Sequence, residues 1–188
     1  MKIKDITLMS IMLAILIVAS KISFNIGPIP ITLQTFAVAI ISCLLKWKRA
    51  SIVFLAYIIM GLIGIPVFST GGGFAYVLTP SFGFIIGFLV SSFITGSNLF
   101  NKHKWTIFIK CVLGLLVIDF IGIIYMAIIL NLYKGLNYDL AKILTIGFTP
   151  FIVKDLISVG IAGLISIRLE PALNNSYDSS ELNVINSD

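Results

Sequence analysis

The feature that most constrains this chain is a series of apolar runs, too long and too numerous to hide in a soluble core. Six can be marked, at about 6–25, 32–46, 50–66, 80–97, 105–131 and 150–169. A helix crosses the hydrocarbon of a bilayer with about 20 apolar residues. Inside that layer every backbone N–H and C=O must find its partner within the protein. Together these requirements point to one architecture, a bundle of membrane-spanning helices. Composition agrees: hydrophobic residues make up 59% of the chain and charged residues 11%, against about 25% charged in an ordinary soluble domain. The expected fold class is therefore an all-α integral membrane protein with six transmembrane helices in one domain, residues 1–169. Within 188 residues this leaves no space for a soluble catalytic domain. Residues 170–188 are rich in Asn, Ser and acids, show no apolar periodicity, and read as a disordered polar tail.

The N-terminus imitates a secretory signal, with Lys2 and Lys4 before the first apolar run. More membrane sequence follows, so an uncleaved first helix is expected. Orientation follows from the basic residues. With the N-terminus in the cytoplasm, that side holds Lys2, Lys4, Lys46, Lys48, Arg49, Lys102, Lys104 and Arg168, and the outer side Lys21, Lys134 and Lys142. This satisfies the positive-inside rule and places both termini in the cytoplasm of a multi-pass protein of the cell membrane. The net charge of +5 is thus a topology signal scattered between apolar runs, not a nucleic-acid surface. Cys43 and Cys111 lie in apolar runs and suit buried, inert thiols. With His103 the single histidine, no metal site is expected.

Two helix starts look alike. Thr79-Pro80 and Thr149-Pro150 each set a hydroxyl before a proline, whose missing N–H is harmless in the first helical turn. Small residues recur at spacing four: Gly83, Gly87, Ser91 and Thr95 in the fourth helix, Ser158, Ala162 and Ser166 in the sixth, Ser10 and Ala14 in the first. Such stripes let helices approach closely, either within the bundle or at a docking face for a partner membrane protein.

The outward loops carry the unusual residues. The first reads Asn25-Ile-Gly-Pro-Ile-Pro-Ile-Thr-Leu-Gln34, stiffened by its prolines and ending on the amide of Gln34. The third reads Pro66-Val-Phe-Ser-Thr-Gly-Gly-Gly-Phe-Ala-Tyr76 and carries no charge. Its glycines Gly71, Gly72 and Gly73 open backbone angles closed to other residues and let main-chain N–H groups near a ligand. Phe68, Phe74 and Tyr76 flank them as apolar cover, so the loop reads as a lid or, more blandly, as a spacer. Two acids lie inside apolar runs, Asp119 and Asp155. Intramembrane acids are rare and mark function by default, the alternative being structural bonds between helices. Asp155 sits near the start of the sixth helix, where the helix dipole favours an ionised carboxylate. Lys154 precedes it, although neighbouring helical residues point about 100° apart.

Four stretches, Pro28-Ile-Pro-Ile-Thr-Leu-Gln34, Gly64-Ile-Pro-Val-Phe-Ser-Thr-Gly-Gly-Gly73, Thr79-Pro-Ser-Phe-Gly-Phe-Ile-Ile-Gly-Phe88 and Pro150-Phe-Ile-Val-Lys-Asp-Leu156, closely resemble the biotin-transporter family BioY. They match in order from the first helix to the sixth. The resemblance implies an S-component fold that binds biotin near the outer face, under the first and third loops. It implies partners too: a transmembrane coupling subunit and two ATPase subunits of an energy-coupling factor module. No glycine is followed by lysine and then serine or threonine, so ATP hydrolysis falls to those partners. By the same resemblance Asp155 is the acid that takes the ureido N–H groups of biotin. Gln34 is a supplementary polar contact, and Phe68, the three glycines and Tyr76 cover the ring and tail. Ser10 and Ala14 are candidates for the docking face. The chain departs from the commoner family pattern, which reads proline-glycine-aspartate with a lysine three residues after the acid. Here Val153 and Lys154 replace the first two, and Ser158 stands at the lysine's place, so either Lys154 supplies the missing cation or another donor holds biotin's carboxylate. Biotin is cargo, and no cofactor is expected.

The main rival is an S component or small permease for another vitamin-like molecule. An intramembrane aspartyl protease using Asp119 and Asp155 is disfavoured, because Ile118 stands where such enzymes carry tyrosine and no glycine immediately precedes Asp155. Gly-x-Ser-x-Gly is absent, so serine hydrolysis fares worse, and the chain is expected not to be an enzyme.

Overall fold

The computed structural model of the chain describes residues 3–26, 29–97 and 105–185, with side chains described except at 25, 26, 170 and 172–185. Pro28 and the stretch Lys102, His103 and Lys104 lie outside the described residues.

Helix α1 spans Ile3–Lys21. Its sequence has no Gly or Pro to interrupt it, and its inward face repeats at helical spacing. Met9, Met12, Leu16 and Ala19 are buried, while Ile11, Ile15 and Val18 face outward. An apolar outer face is what a helix in lipid presents. The chain then forms an antiparallel hairpin, β1 Ser23–Ile26 and β2 Ile29–Thr32, in which Ser23 pairs with Thr32 and Ile26 with Ile29. Sequence reading gave this segment as a stiff loop. Pairing is favoured because Ile29 is drawn into a cluster with Met126, Leu130, Ile143 and Phe151.

Helix α2 runs Gln34–Leu62 but is broken at Lys46, whose φ of 59° and ψ of 167° are non-helical. The polar loop expected at 46–49 is thus a one-residue elbow joining the second and third apolar segments. Arg49, just past the elbow, pairs with Asp5 of α1 at 3.0 Å. A long connection follows, containing a one-turn 3₁₀ helix at Phe74–Leu78. Helix α3 is Phe82–Thr95. Helix α4 is Thr106–Ile128 and ends in a π-turn at Ile129–Tyr133. A short helix that sequence reading did not anticipate, α5, occupies Leu140–Gly147 and is capped by Asp139, whose carboxylate accepts from the Lys142 N–H at 3.1 Å. Helix α6 begins at Thr149, and its backbone stays helical past Pro171 to Ile185. The polar stretch expected as a structureless tail is therefore helical in its backbone that far.

Three of these helices are long and apolar enough to cross a membrane: Ile3–Lys21, Thr106–Tyr133 and Thr149–Leu169. Helix α3 is a shorter apolar helix, and the two arms of α2 complete the six apolar segments. Neither Thr79 nor Thr149 caps the helix it precedes. The Thr79 hydroxyl donates to the Tyr76 carbonyl at 2.7 Å, and that of Thr149 reaches back to the Leu144 carbonyl at 3.4 Å. In each case the hydroxyl closes the turn behind it instead of the helix ahead.

The small-residue stripes of α3 and α6 are internal. A Cβ on Gly83 would lie 2.2 Å from Tyr125 Cβ, and one on Gly87 would lie 2.9 Å from Ile118 Cα. The interlock is reciprocal, since a Cβ on Gly114 of α4 would meet Thr95 Oγ1 at 2.0 Å. Ala162 is fully buried and packs in a cluster with Ala39, Cys111 and Leu115. The sulfurs of Cys43 and Cys111 lie 3.5 Å apart, in thiol–thiol contact and not in a disulfide. Ser10 and Ala14 face outward. Because the backbones of α3 and α4 nearly touch at Gly87, Gly87→Leu is expected to destabilise the protein by roughly 1–3 kcal/mol or more. Val90→Leu, on the exposed side of the same helix, should leave stability nearly unchanged. Thermal melting of the detergent-solubilised variants measures both.

Candidate binding pocket

A pocket of about 520 Å³, counting its open mouth, lies at the hairpin end of the bundle. Pro30 and Thr32 of β2 wall one side, with Gln34 and Thr35 at the start of α2 beside them. Ser69, Tyr76 and Ser81 come from the long connection, Phe84, Ile85 and Phe88 from α3, Ile118 and Asp119 from α4, and Phe151, Lys154 and Asp155 from α6. The lining combines apolar side chains with a few convergent polar ones, as ligand pockets do.

Two polar arrangements stand out. On α6, the Lys154 ammonium lies 2.5 Å from Asp155 Oδ1 and donates to the Thr32 carbonyl at 2.7 Å. The side chains are adjacent in sequence and leave the helix in different directions, but the flexible lysine stem curls back to the acid. Asp155 is buried, and a buried carboxylate needs such a partner. On α2, the Gln34 amide is fixed from both sides. Its Nε2 donates to the Tyr57 hydroxyl at 2.9 Å, and its Oε1 accepts from the Thr32 hydroxyl at 3.0 Å. The Tyr57 hydroxyl in turn donates to the Val67 carbonyl at 3.0 Å. That fixes which end of the amide is oxygen and leaves one Gln34 N–H free to serve a ligand. Tyr76 is held by Ser69 and Ser81, each 3.2 Å from its hydroxyl.

Of the residues singled out in the sequence, Gln34, Tyr76, Asp119, Lys154 and Asp155 meet in this pocket. Phe68 does not. It is fully buried in the core, its ring against the bare Cα of Gly61, where a Cβ would come within 2.0 Å of the ring, and beside the rings of Tyr57 and Tyr76. Gly71, Gly72 and Gly73 do not line the pocket either. Gly71 and Gly73 hold φ of +131° and +108°, which L side chains rarely adopt, and a Cβ on Gly72 would lie 2.3 Å from the Ile65 carbonyl oxygen. Their work is to fold the connection tightly back on α2. Sequence reading missed Thr32, Thr35, Ser69, Ser81, Ile118, Phe151 and the α3 face. The spacing of Phe84, Ile85 and Phe88 is the ordinary signature of a buried helix face, so nothing marked it as pocket.

Comparison with known proteins decides what kind of chain carries this pocket. Residues 1–175 match the BioY family. The chain belongs to the BioY family. It is 36% identical to a probable biotin transporter BioY of Pyrococcus horikoshii, over 90% of this chain and 98% of that one. It is 33% identical to the biotin transporter BioY of Thermotoga maritima, over 84% and 90% of the two chains. Among solved structures, it superposes with a TM-score of 0.79 on an S-component for biotin from an ECF-type ABC transporter, at 27% identity over 90% of this chain and 92% of that one. The fold is therefore that of an S component, as the sequence resemblance implied.

Because Lys154 is the one cation lining the pocket among the described residues, its removal leaves Asp155 buried without a counter-charge. Lys154→Ala is expected to lower stability by on the order of 1–3 kcal/mol, and Lys154→Ala with Asp155→Asn should recover part of the loss. A double-mutant cycle on melting temperature reads the coupling. Additive losses would mean that the pair contributes nothing.

Proposed function

We propose that this chain is the membrane-embedded, biotin-binding S component of an energy-coupling factor transporter and mediates biotin uptake without being an enzyme. The observation that carries this reading is the pocket itself. In a chain of the BioY family, it brings an ion-paired carboxylate, an oriented amide and aromatic walls together at one end of the helix bundle. Biotin is chemically complementary to that set. Its ureido group offers N–H donors and a carbonyl, its sulfur ring and aliphatic tail are apolar, and its tail ends in a carboxylate.

In this reading Asp155 accepts a ureido N–H, Lys154 supplies the cation of the site, Gln34 adds a polar contact, and the ring of Tyr76 forms part of the cover. Charge-assisted bonds of this kind contribute about 1.5–3 kcal/mol each. The protein sits in the cell membrane with both termini in the cytoplasm and the pocket toward the outside. Residues 1–169 form the membrane domain, and 170–188 extend into the cytoplasm. ATP hydrolysis comes from two ATPase subunits joined to a transmembrane coupling subunit. The exposed strip of Ser10 and Ala14, with neighbouring Ile11 and Ile15 also exposed, is the face that meets the coupling subunit.

Calorimetric titration of the ligand-stripped protein in detergent tests the substrate. Tight one-to-one binding of biotin, with no heat from riboflavin or thiamine, is expected. Silence with biotin from a folded sample would instead support a different vitamin-like ligand. Asp155→Asn is expected to weaken biotin binding by roughly tenfold or more, measured in the same titration. Ala14→Trp is expected to stop uptake in cells while binding in detergent survives. Loss of both would remove α1 from partner docking and point to misfolding.

A further inference from the structure

One ionisable side chain of the pocket has no part in the reading above. Asp119 on α4 is 6% exposed and lines the cavity. Among the described residues its carboxylate receives no hydrogen bond, yet it stands within electrostatic reach of Lys154 and Asp155. The lysine beside it is already engaged, with Asp155 at 2.5 Å and the Thr32 carbonyl at 2.7 Å. A carboxylate that opens on the cavity, with no protein donor bonded to it, is available to accept from a molecule that enters. Such a group calls for a donor that arrives with the ligand.

The shape of a cyclic urea supplies the geometry. Its two nitrogens sit at non-adjacent corners of a five-membered ring, so their N–H bonds diverge to either side of the carbonyl. Hydrogen bonds weaken steeply away from linearity, so one carboxylate does not satisfy both. Two acceptors on different elements do, with a donor between them for the carbonyl oxygen. The pocket holds those groups: Asp155 on α6, Asp119 on α4, and the Lys154 ammonium, which is hydrogen-bonded to the Thr32 carbonyl and ion-paired with Asp155 and has three N–H donors in all.

We infer that Asp119 is the second acceptor of the ureido group, taking one N–H while Asp155 takes the other and Lys154 donates to the carbonyl. The inference rests on the biotin reading and refines it, since one acid was there given the role of anchor. It also fixes the ligand's direction. Two carboxylates at the head-group end repel the tail carboxylate and hold it away.

The test is calorimetric titration of the full-length protein in detergent with biotin and with the two derivatives methylated on one ureido nitrogen or the other. The unaltered protein is compared with Asp119→Ala, Asp119→Asn and Asp155→Asn. Asp119→Ala is expected to weaken biotin binding roughly ten- to a hundredfold. The penalty for methylating one nitrogen should shrink toward nothing in Asp119→Ala. The penalty for methylating the other should shrink in Asp155→Asn. Methylation penalties unchanged in Asp119→Ala, or biotin affinity equal to that of the unaltered protein, would overturn the inference while leaving the biotin reading intact. Failure of the unaltered protein to bind biotin would overturn both. Should Asp119→Ala not fold, as judged by melting temperature, the isosteric Asp119→Asn carries the same comparison of the methylated pair.

Discussion

A helix satisfies its own backbone, and where it stops, the N–H and C=O groups it frees must be made good by another part of the protein or by water. That constraint organises this structure. At the elbow of α2 the Trp47 N–H, released by the non-helical Lys46, donates to the Gly96 carbonyl at the end of α3 at 3.0 Å. Gly96 permits this because a Cβ there would lie 2.4 Å from the Trp47 nitrogen. The long connection after α2 is held in the same way. The Gly73 N–H donates to the Gly61 carbonyl at 2.7 Å. The Val67 carbonyl accepts from the hydroxyls of Ser20 at 2.6 Å and Tyr57 at 3.0 Å, and the Phe68 carbonyl from Lys21 at 2.6 Å. Each such group left unmade would cost about 1–3 kcal/mol, so the connection is anchored to α1 and α2 along most of its length.

The pocket is a consequence of those anchors. Tyr57 holds both the Val67 carbonyl and the Gln34 amide, so the fold of the connection and the orientation of a pocket amide share one hydroxyl. On the other wall, the close approach of α3 and α4 at Gly87 brings the backbone of Ile118 against α3. Ile118 and Asp119 consequently reach the pocket together with Phe84, Ile85 and Phe88. The glycines that look like a docking stripe in the sequence thus act at a distance, by letting a wall of the pocket close.

How much of this could be read from the sequence follows from which forces are local. The spans are legible because the bilayer imposes length and polarity on each run independently. Asp155 and Gln34 are legible because a polar group in an apolar run stands out against its neighbours. Phe68 was misleading for the opposite reason. An aromatic ring beside three glycines in an uncharged loop looks like a cover, and what buries it is the absence of a side chain at Gly61, seven residues earlier in another element. The hairpin was hidden because its pairing is driven by Ile29 meeting residues from α4, α5 and α6, contacts far away in the chain. The elbow at Lys46 depends on a carbonyl of α3, and no local pattern encodes it.

In the reading proposed above, the cation of the site comes from Lys154, and its place on α6 has structural consequences. Ser158, where the commoner family pattern has lysine, is buried and small, and the ammonium comes instead from the residue just before the acid. A lysine there leaves the helix in another direction from Asp155, so it must curl back to pair, and its curled stem brings the ammonium to the hairpin. It therefore binds the Thr32 carbonyl as well as Asp155. Thr32 is also the residue whose hydroxyl orients Gln34. The relocation thus joins three things that a cation placed one turn along α6 need not join: the charge balance of Asp155, the attachment of the hairpin to α6, and the alignment of the pocket amide. With three donors, an ammonium can hold both of its present partners and still offer one N–H to an acceptor in the cavity.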